Sequence, residues 1–313
     1  MQLSLVIPCF NEGDNVQAMH AAVVEAFADC GYDFEMIFVD DGSKDDTFTQ
    51  LKKLHADSEN MRVVRFSRNF GKESAIYAGL QHARGDFVCI IDADLQQPPA
   101  LVRDMVVFLE LNADFDCVAA FQQTRSDGRV LKLLKNSFYR IINRITEIQF
   151  VQGASDFRTM RRSMVDAILS LGEQNRFAKG IFSWVGFAAH FIPYTAADRH
   201  AGTTKWNKRR LFRYAFDGII SFSTMPLRLA SVAGVLSALG ALIYALVVII
   251  QRLFWGVAVP GFATLAVLIL FLGGLQLLGL GLIGEYLAKT YTETKARPIY
   301  VAREILESKR DNQ

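Results

Sequence analysis

Phe87-Val88-Cys89-Ile90-Ile91-Asp92-Ala93-Asp94-Leu95-Gln96 is the stretch on which the fold turns. An apolar run of this length reads as a buried strand, and it gives way at once to two acids one residue apart. Two carboxylates so placed repel each other unless a positive charge lies between or beside them. A divalent cation held together with diphosphate oxygens would supply that charge. Two other apolar runs also end in polar residues, at Pro8-Cys9-Phe10-Asn11-Glu12 and Asp40-Asp41-Gly42-Ser43. Strands are expected at 3–8, 34–39, 62–66, 87–91 and 116–121, with helical patterns at 15–28, 46–55, 72–82 and 99–110 between them. That alternation predicts an α/β class with a mostly parallel sheet covered by helices on both faces. Ligands on such sheets sit at the carboxyl ends of the strands, where all these acids fall.

The 313-residue chain carries 34 Lys+Arg against 32 Asp+Glu, a formal charge of +2, with 51% hydrophobic and 21% charged residues. So near-neutral a balance gives no basic field for a nucleic acid partner. Its apolar content excludes disorder. Cys9, Cys30, Cys89 and Cys117 form no CxxC pair and fit reduced thiols, not a zinc site or a disulfide framework. The N-terminus lacks a basic n-region and reads as a strand, not a signal peptide.

From about Leu229 to Gly284 the only formally charged side chain is Arg252. The stretches 232–250 and 262–284 are each long enough to span a bilayer, and the linker between them carries an aromatic anchor. Lys205, Lys208, Arg209, Arg210, Arg213 and Arg228 precede the first span, while Lys289, Lys295, Arg297 and Arg303 follow the second. By the positive-inside rule both chain ends are expected to be cytoplasmic. Between Lys205 and Arg228, apolar residues such as Leu211, Phe212, Phe216 and Ile219 interleave with cations, as in a helix lying in the headgroup layer; an ordinary domain helix is the competing reading. The expected organisation is a catalytic domain at 1–206, a basic amphipathic segment at 207–228, a two-helix transmembrane hairpin within 229–285 and a cytoplasmic C-terminal tail at 286–313.

Other nucleotide and metal signatures fail. Gly71-Lys72-Glu73-Ser74 would need a glycine where Phe66 stands and a hydroxyl residue in place of Glu73 to make a P-loop. No GxGxxG follows the first strand, and His20, His55, His82, His190 and His200 show no HExxH spacing.

Taken in order, Pro8-Cys9-Phe10-Asn11-Glu12, Asp40-Asp41-Gly42-Ser43, Arg68-Asn69-Phe70-Gly71-Lys72-Glu73 and Asp92-Ala93-Asp94-Leu95-Gln96-Gln97-Pro98 resemble the successive motifs of family 2 glycosyltransferases with the GT-A fold. Asp156-Phe157-Arg158, Phe182-Ser183-Trp184-Val185-Gly186 and the run from Arg199 to Trp206 resemble the polyprenyl-phosphate branch, which includes dolichol-phosphate mannose synthases. The two spans, with Gly284-Glu285-Tyr286 and Thr294-Lys295-Ala296-Arg297-Pro298, resemble the bactoprenol glucosyltransferases of O-antigen modification. The resemblance implies a GT-A catalytic domain followed by the transmembrane hairpin. It also implies inverting transfer of a hexose from a nucleotide sugar, UDP-glucose first, to undecaprenyl phosphate at the cytoplasmic face of a bacterial inner membrane. Mannose, galactose and an aminosugar stay open as the transferred sugar. Pro8, Glu12, Asp40 and Asp41 are implied to line the base and ribose pocket, with Asn11, Lys72 and Asp92 as further nucleotide-sugar contacts. Asp92, Asp94 and Gln96 are implied to hold Mg2+ or Mn2+. Gln97 stands where an Asp is common; the departure leaves Asp92 and Asp94 intact and bears on accessory contacts. A homo-oligomer, with a tetramer as the candidate size, is implied as well.

An acceptor phosphate has a second pKa near 6, so at neutral pH it is largely a dianion and can attack without losing a proton. The site must then hold two negative groups together, which calls for fixed cations. Arg125, Arg129, Arg199 and Lys205 are the candidates for the acceptor phosphate, with Arg158 beside Asp156 and Asp94 in the catalytic set. For Asp156 the readings are orienting the acceptor, assisting proton movement, or pairing with Arg158. Competing functions are a non-enzymatic membrane component, disfavoured by spans with no embedded charge to mark an ion path, and a polysaccharide synthase, disfavoured by having two spans only.

Overall fold

The computed structural model describes residues 2–122, 143, 154–174, 176–196, 220, 223–255 and 261–312. The chain divides into two compact units, 1–214 with 297–313, and 215–296.

In the first unit β1 (Leu3–Cys9), β2 (Phe34–Asp40), β3 (Met61–Phe66), β4 (Phe87–Ile90), β5 (Cys117–Gln122), β6 (Ala154–Arg161), β7 (Ala189–Tyr194) and β8 (Ala302–Leu306) form one sheet in the order β7-β5-β6-β4-β1-β2-β3-β8. The helices are α1 (Gly13–Phe27), α2 (Thr47–Asp57), α3 (Lys72–His82), α4 (Ala100–Leu111), α5 (Arg162–Ser170) and α6 (Ala178–Trp184). β1 pairs in parallel with β2 and β4, and β2 with β3. This is the expected α/β core. β1 sits at its centre with Leu3, Leu5, Val6 and Ile7 wholly buried, because a parallel strand covered on both faces needs a near-continuous apolar run. Pro8 follows the last β1–β4 pair, Val6 with Ile90. The Val6 carbonyl points to β4, where it accepts from the Ile91 N–H, so Pro8 two residues on faces beyond the end of β4 and its missing N–H costs no ladder bond.

β6 runs antiparallel between β4 and β5, and β7 pairs in parallel with β5. At the other edge β8 pairs antiparallel with β3. The residues expected as a C-terminal tail, 286–313, therefore carry the end of a long helix, an edge strand and a closing 3-10 turn at Lys309–Asn312. Buried Arg62 anchors the returning chain, with its Nε 2.8 Å from Glu307 Oε2 and its Nη1 3.7 Å from buried Glu35. α3 lies against β1 closely enough that a Cβ on Gly79 would overlap the Val6 side chain at 2.1 Å. That contact sets where α3 begins, and α3 begins with Lys72.

The second unit holds α7 (Met225–Trp255, 31 residues) and α8 (Phe262–Thr294, 33 residues). Within them Met225–Gln251 and Val267–Thr294 are long and apolar enough to cross a membrane. Both helices outrun the spans read from hydropathy, because Met225–Ser231 before the first apolar run and Glu285–Thr294 after the second are helical as well. Ser231, Thr290, Thr292 and Thr294 return their hydroxyls to carbonyls four residues back. The Tyr286 hydroxyl donates to the Ser223 carbonyl at 2.6 Å, tying α8 to the entry of α7. Large apolar side chains are exposed all round, among them Leu229, Leu242, Leu253, Leu270 and Leu277. Of the basic amphipathic segment expected at 207–228, residues 207–219, 221 and 222 lie outside the described residues, and Met225–Arg228 form the start of α7.

Candidate active site

The register of β4 with β6 runs Phe87 opposite Arg161 to Ile90 opposite Arg158. Extended by two residues, it sets Asp92 opposite Asp156. Like charges facing each other across strands are destabilising. Lys72, at the start of α3, resolves the conflict: its Nζ is 2.6 Å from Asp92 Oδ1 and 3.0 Å from Asp156 Oδ2. Burial works to lower the Lys72 pKa, but the two carboxylates outweigh it and hold the ammonium above the usual lysine range. Burial likewise works to raise the Asp156 pKa, while Lys72, Lys179 and Arg158 keep it below the ordinary carboxylate value. Asp156 is therefore ionised at neutral pH. Its second oxygen, Oδ1, is buried with no hydrogen-bond partner among the described residues.

Gln97, buried at 4% exposure, clamps Asp92 from the other side. Its Oε1 accepts from the Asp92 N–H at 2.9 Å, and its Nε2 donates to Asp92 Oδ2 at 3.1 Å. In the sequence Gln97 is legible only as a departure from a common Asp; that its neutral amide fastens the acid five residues before it is a product of the fold. Leu95 takes a left-handed conformation, φ 61°, which turns the Gln96 N–H back onto Asp94 Oδ1 at 3.2 Å. Gln96 thus supports Asp94 through its backbone.

The ends of β1 and β2 form a second polar cluster. Asp40 is fully buried; its Oδ1 accepts from the Ser43 N–H at 2.9 Å, and its Oδ2 lies 3.6 Å from Arg65 Nε. Asn11, also left-handed at φ 53°, donates its N–H to Ser43 Oγ and accepts from the Lys44 N–H, both at 2.9 Å. Glu12 accepts from Asn15 Nδ2 at 2.6 Å. Asp41 is held by the loop after β3: Phe70 N–H at 2.6 Å, Gly71 N–H at 2.9 Å and Asn69 Nδ2 at 2.8 Å. Burial nevertheless pushes its pKa up to about 6, with neighbouring Asp40 adding to the rise against the Phe70 and Gly71 N–H groups. Gly42, at φ 66°, lies beneath that loop; a Cβ there would stand 2.4 Å from the Arg68 carbonyl carbon.

Arg158 does not reach open space. Its guanidinium lies 3.8 Å from the Phe182 ring centroid, and Nη2 donates to the Ser155 carbonyl at 3.0 Å. Phe182 is carried by α6, whose first N–H, from Ala178, is capped by Glu73 Oε2 at 3.1 Å. The structure thus brings Lys72, Asp92 and Asp156 into one cluster. Arg125, Arg129, Arg199 and Lys205 lie outside the described residues.

Residues 4–169 match the family model described as glycosyl transferase family 2. The chain belongs to that family. A bactoprenol glucosyl transferase of Shigella phage SfV is 40% identical over 304 residues, covering 97% of this chain and 98% of the relative. The prophage bactoprenol glucosyl transferase homolog of Escherichia coli (strain K12) is 40% identical over 306 residues, covering 97% and 99%. Among solved structures, glucosyl-3-phosphoglycerate synthase from Mycobacterium tuberculosis, in complex with Mn2+, UDP-glucose and phosphoglyceric acid, is 20% identical with a TM-score of 0.45, covering 70% of this chain and 77% of that one. That likeness is distant, and those ligands are that protein's own.

For this family 2 glycosyltransferase the donor set can be tested for a metal. Among the described residues no group of three His, Cys, Asp or Glu side chains could hold an ion by itself. Magnesium commonly takes one or two carboxylates and fills its remaining positions with water and substrate phosphates. Asp92 and Asp94, hard oxygen donors half-buried at a strand end, fit that mode.

Proposed function

We propose that this glycosyltransferase moves glucose from UDP-glucose to undecaprenyl phosphate, with inversion at the sugar carbon, at the cytoplasmic face of a bacterial inner membrane. The observation that carries the reading is the Lys72 bridge between Asp92 and Asp156 at the carboxyl end of β4, where one buried oxygen of Asp156 has no hydrogen-bond partner among the described residues. The names of the relatives support glucose and the bactoprenol acceptor. α7 and α8 cross the membrane in this reading, with both chain ends cytoplasmic, as the basic residues flanking them favour.

Asp41, Glu12, Asn11 and Pro8 surround the base and ribose, and Asp40 holds the turn that shapes their pocket. Asp92 and Asp94 would hold Mg2+ or Mn2+, which would supply charge neutralisation to the leaving diphosphate. Ionised Asp156 accepts from sugar hydroxyls and orients the hexose. An oxygen of the acceptor phosphate forms the new bond to the anomeric carbon as the bond to the UDP oxygen breaks. The acceptor is already a dianion near neutral pH, so no residue need take its proton. Arg125, Arg129, Arg199 and Lys205 are proposed to hold that phosphate.

The test is incubation of membranes containing the protein with labelled UDP-glucose, UDP-galactose, UDP-N-acetylglucosamine and GDP-mannose, each with undecaprenyl phosphate. A lipid-extractable product from UDP-glucose, formed in preference to the others and requiring a divalent metal, is expected. Label appearing on a soluble hydroxyl compound without added lipid would refute the reading.

A further inference from the structure

The residues that follow α8 in the chain dock behind the loop that holds Asp41. Tyr300 stacks on Phe66, the last residue of β3, with ring centroids 4.8 Å and planes 21° apart. Phe66 in turn meets Phe70 edge-on at 5.7 Å and 88°. The Arg68 guanidinium closes the column 4.0 Å from the Phe70 ring centroid. Alongside it, the Ser67 N–H donates to the Val301 carbonyl at 2.9 Å. The Tyr300 hydroxyl reaches across to α3, donating to Gln81 Oε1 at 3.0 Å and meeting His82 Nε2 at 3.4 Å. One side chain thus ties the end of β3 to the end of α3. The loop 67–71 joins β3 to α3, and its Phe70 and Gly71 N–H groups are the ones that hold Asp41.

We propose that Tyr300 is a positioning residue of the nucleotide pocket: its ring, acting through Phe66 and Phe70, fixes where the 67–71 loop presents its N–H groups to Asp41. The proposal rests on reading that pocket as the nucleotide site. Besides Asp41, the local holds on the loop are backbone ones, the Arg68 guanidinium donating to the Asn69 carbonyl at 3.0 Å and the Ser74 hydroxyl donating to the Phe70 carbonyl at 3.1 Å, and neither bond seats the Phe70 ring against β3. The loop's Asn69 side chain is spent on Asp41, and Gly42 beneath it offers only backbone contact. Without the Tyr300 ring, Phe66 loses its stacked face, and the edge contact that seats the Phe70 ring loses its backing. A hydrogen bond of 2.6 Å between the Phe70 N–H and a buried carboxylate does not tolerate a shift of Phe70, because hydrogen bonds weaken steeply with distance and angle.

The experiment uses the full chain in nanodiscs, measuring UDP binding by calorimetry and initial rates against UDP-glucose concentration. Tyr300→Ala is expected to raise the UDP Kd and the UDP-glucose KM about tenfold, a misplacement of roughly an ångström near a site being costly. The kcat is expected to stay within about twofold, since binding and not chemistry is disturbed. Tyr300→Phe keeps the stack and loses the bond to Gln81, and should restore both constants. A purely structural role would lower the melting temperature and the active fraction while leaving KM in place. Phe70→Leu removes the edge contact without touching β8 and should give the same shift, so a poorly folding Tyr300→Ala does not end the test. Unshifted constants in Tyr300→Ala or Phe70→Leu, or a Phe variant as impaired as the Ala variant, would overturn the proposal. A wild-type protein that binds no UDP would refute the nucleotide reading and this proposal with it; wild-type binding with unshifted variants would overturn this proposal alone.

Discussion

β2 and β4 flank β1, and each ends in two acids, yet the two ends balance their charge by different means. At β2 the compensation is fixed: Asp41 is gripped by N–H groups of a crossing loop, and Asp40 by its own turn and Arg65. At β4 it is an ammonium at the tip of a flexible chain, Lys72, which is 43% exposed. A carboxylate held by backbone can be released only by moving a loop. One held by a lysine can be handed to another cation by a rotamer change. The first arrangement suits a preformed pocket for a neutral base and ribose, and the second suits a place where charge arrives and leaves with each turnover.

The sharpest way to break this contrast is to remove the exchangeable side. Asp94→Ala, or exhaustive chelation of the wild type, is expected to cut glycolipid formation by about 10²- to 10³-fold, the scale of losing electrostatic support for a leaving group. Circular dichroism should be unchanged. Full turnover in EDTA would show that β4 needs no cation. Next in size is Lys72→Ala, which leaves Asp92 and Asp156 facing each other. Turnover should fall by about 10- to 10²-fold. The stability loss should stay near 1 kcal/mol, because the Lys72 side chain is 43% exposed and water can enter to solvate both carboxylates once it is removed. A variant as active as the wild type would make the bridge a bystander.

The fixed side is probed through pH. The folded pKa of Asp41, about 6, lies above the ordinary 3.8, so the folded protein takes up this proton first as pH falls. The group's destabilising contribution is full above the folded value and is relieved as pH drops toward the unfolded one. Function runs the other way, since protonated Asp41 loses an acceptor. The Kd for UDP should rise as pH falls through about 6. Asp41→Asn should bind about tenfold more weakly at pH 7.5, an amide replacing a charged acceptor. The variant should also lack the wild-type excess pH dependence, the titration of UDP itself being common to both. Identical profiles would remove Asp41 from the pocket. The smallest effect is expected from Gln97→Ala. Lys72 still holds Asp92, so turnover should fall about threefold, with a lowered melting temperature from the unpaired Asp92 N–H. A loss as large as that of Asp94→Ala would mean that the amide touches substrate.

Much of the first unit was legible in advance. β1 to β5 and α1 to α4 fall where the apolar runs and helical periods put them, because strands covered on both faces have to be continuously apolar. β6 was legible only as a motif. Ala154-Ser155-Asp156-Phe157-Arg158 mixes buried and charged residues, and its interior arginine is tolerated because Phe182 and the Ser155 carbonyl receive it. β8 carries a weak five-residue signal, Ala302-Arg303-Glu304-Ile305-Leu306, and gains its partner β3 only through a contact some 240 residues distant in sequence.

By itself, then, the sequence determined the acids at the strand ends, the α/β core between them and two helices long and apolar enough to cross a membrane. Those features follow from local composition and period, which each segment carries alone. Tertiary structure decided which charges meet: that Lys72 bridges Asp92 and Asp156, that Gln97 clamps rather than merely replaces, and that the chain after α8 returns to brace the loop over Asp41. Pairings of that kind depend on strand register and on close approach between distant segments, and no window of sequence contains both partners.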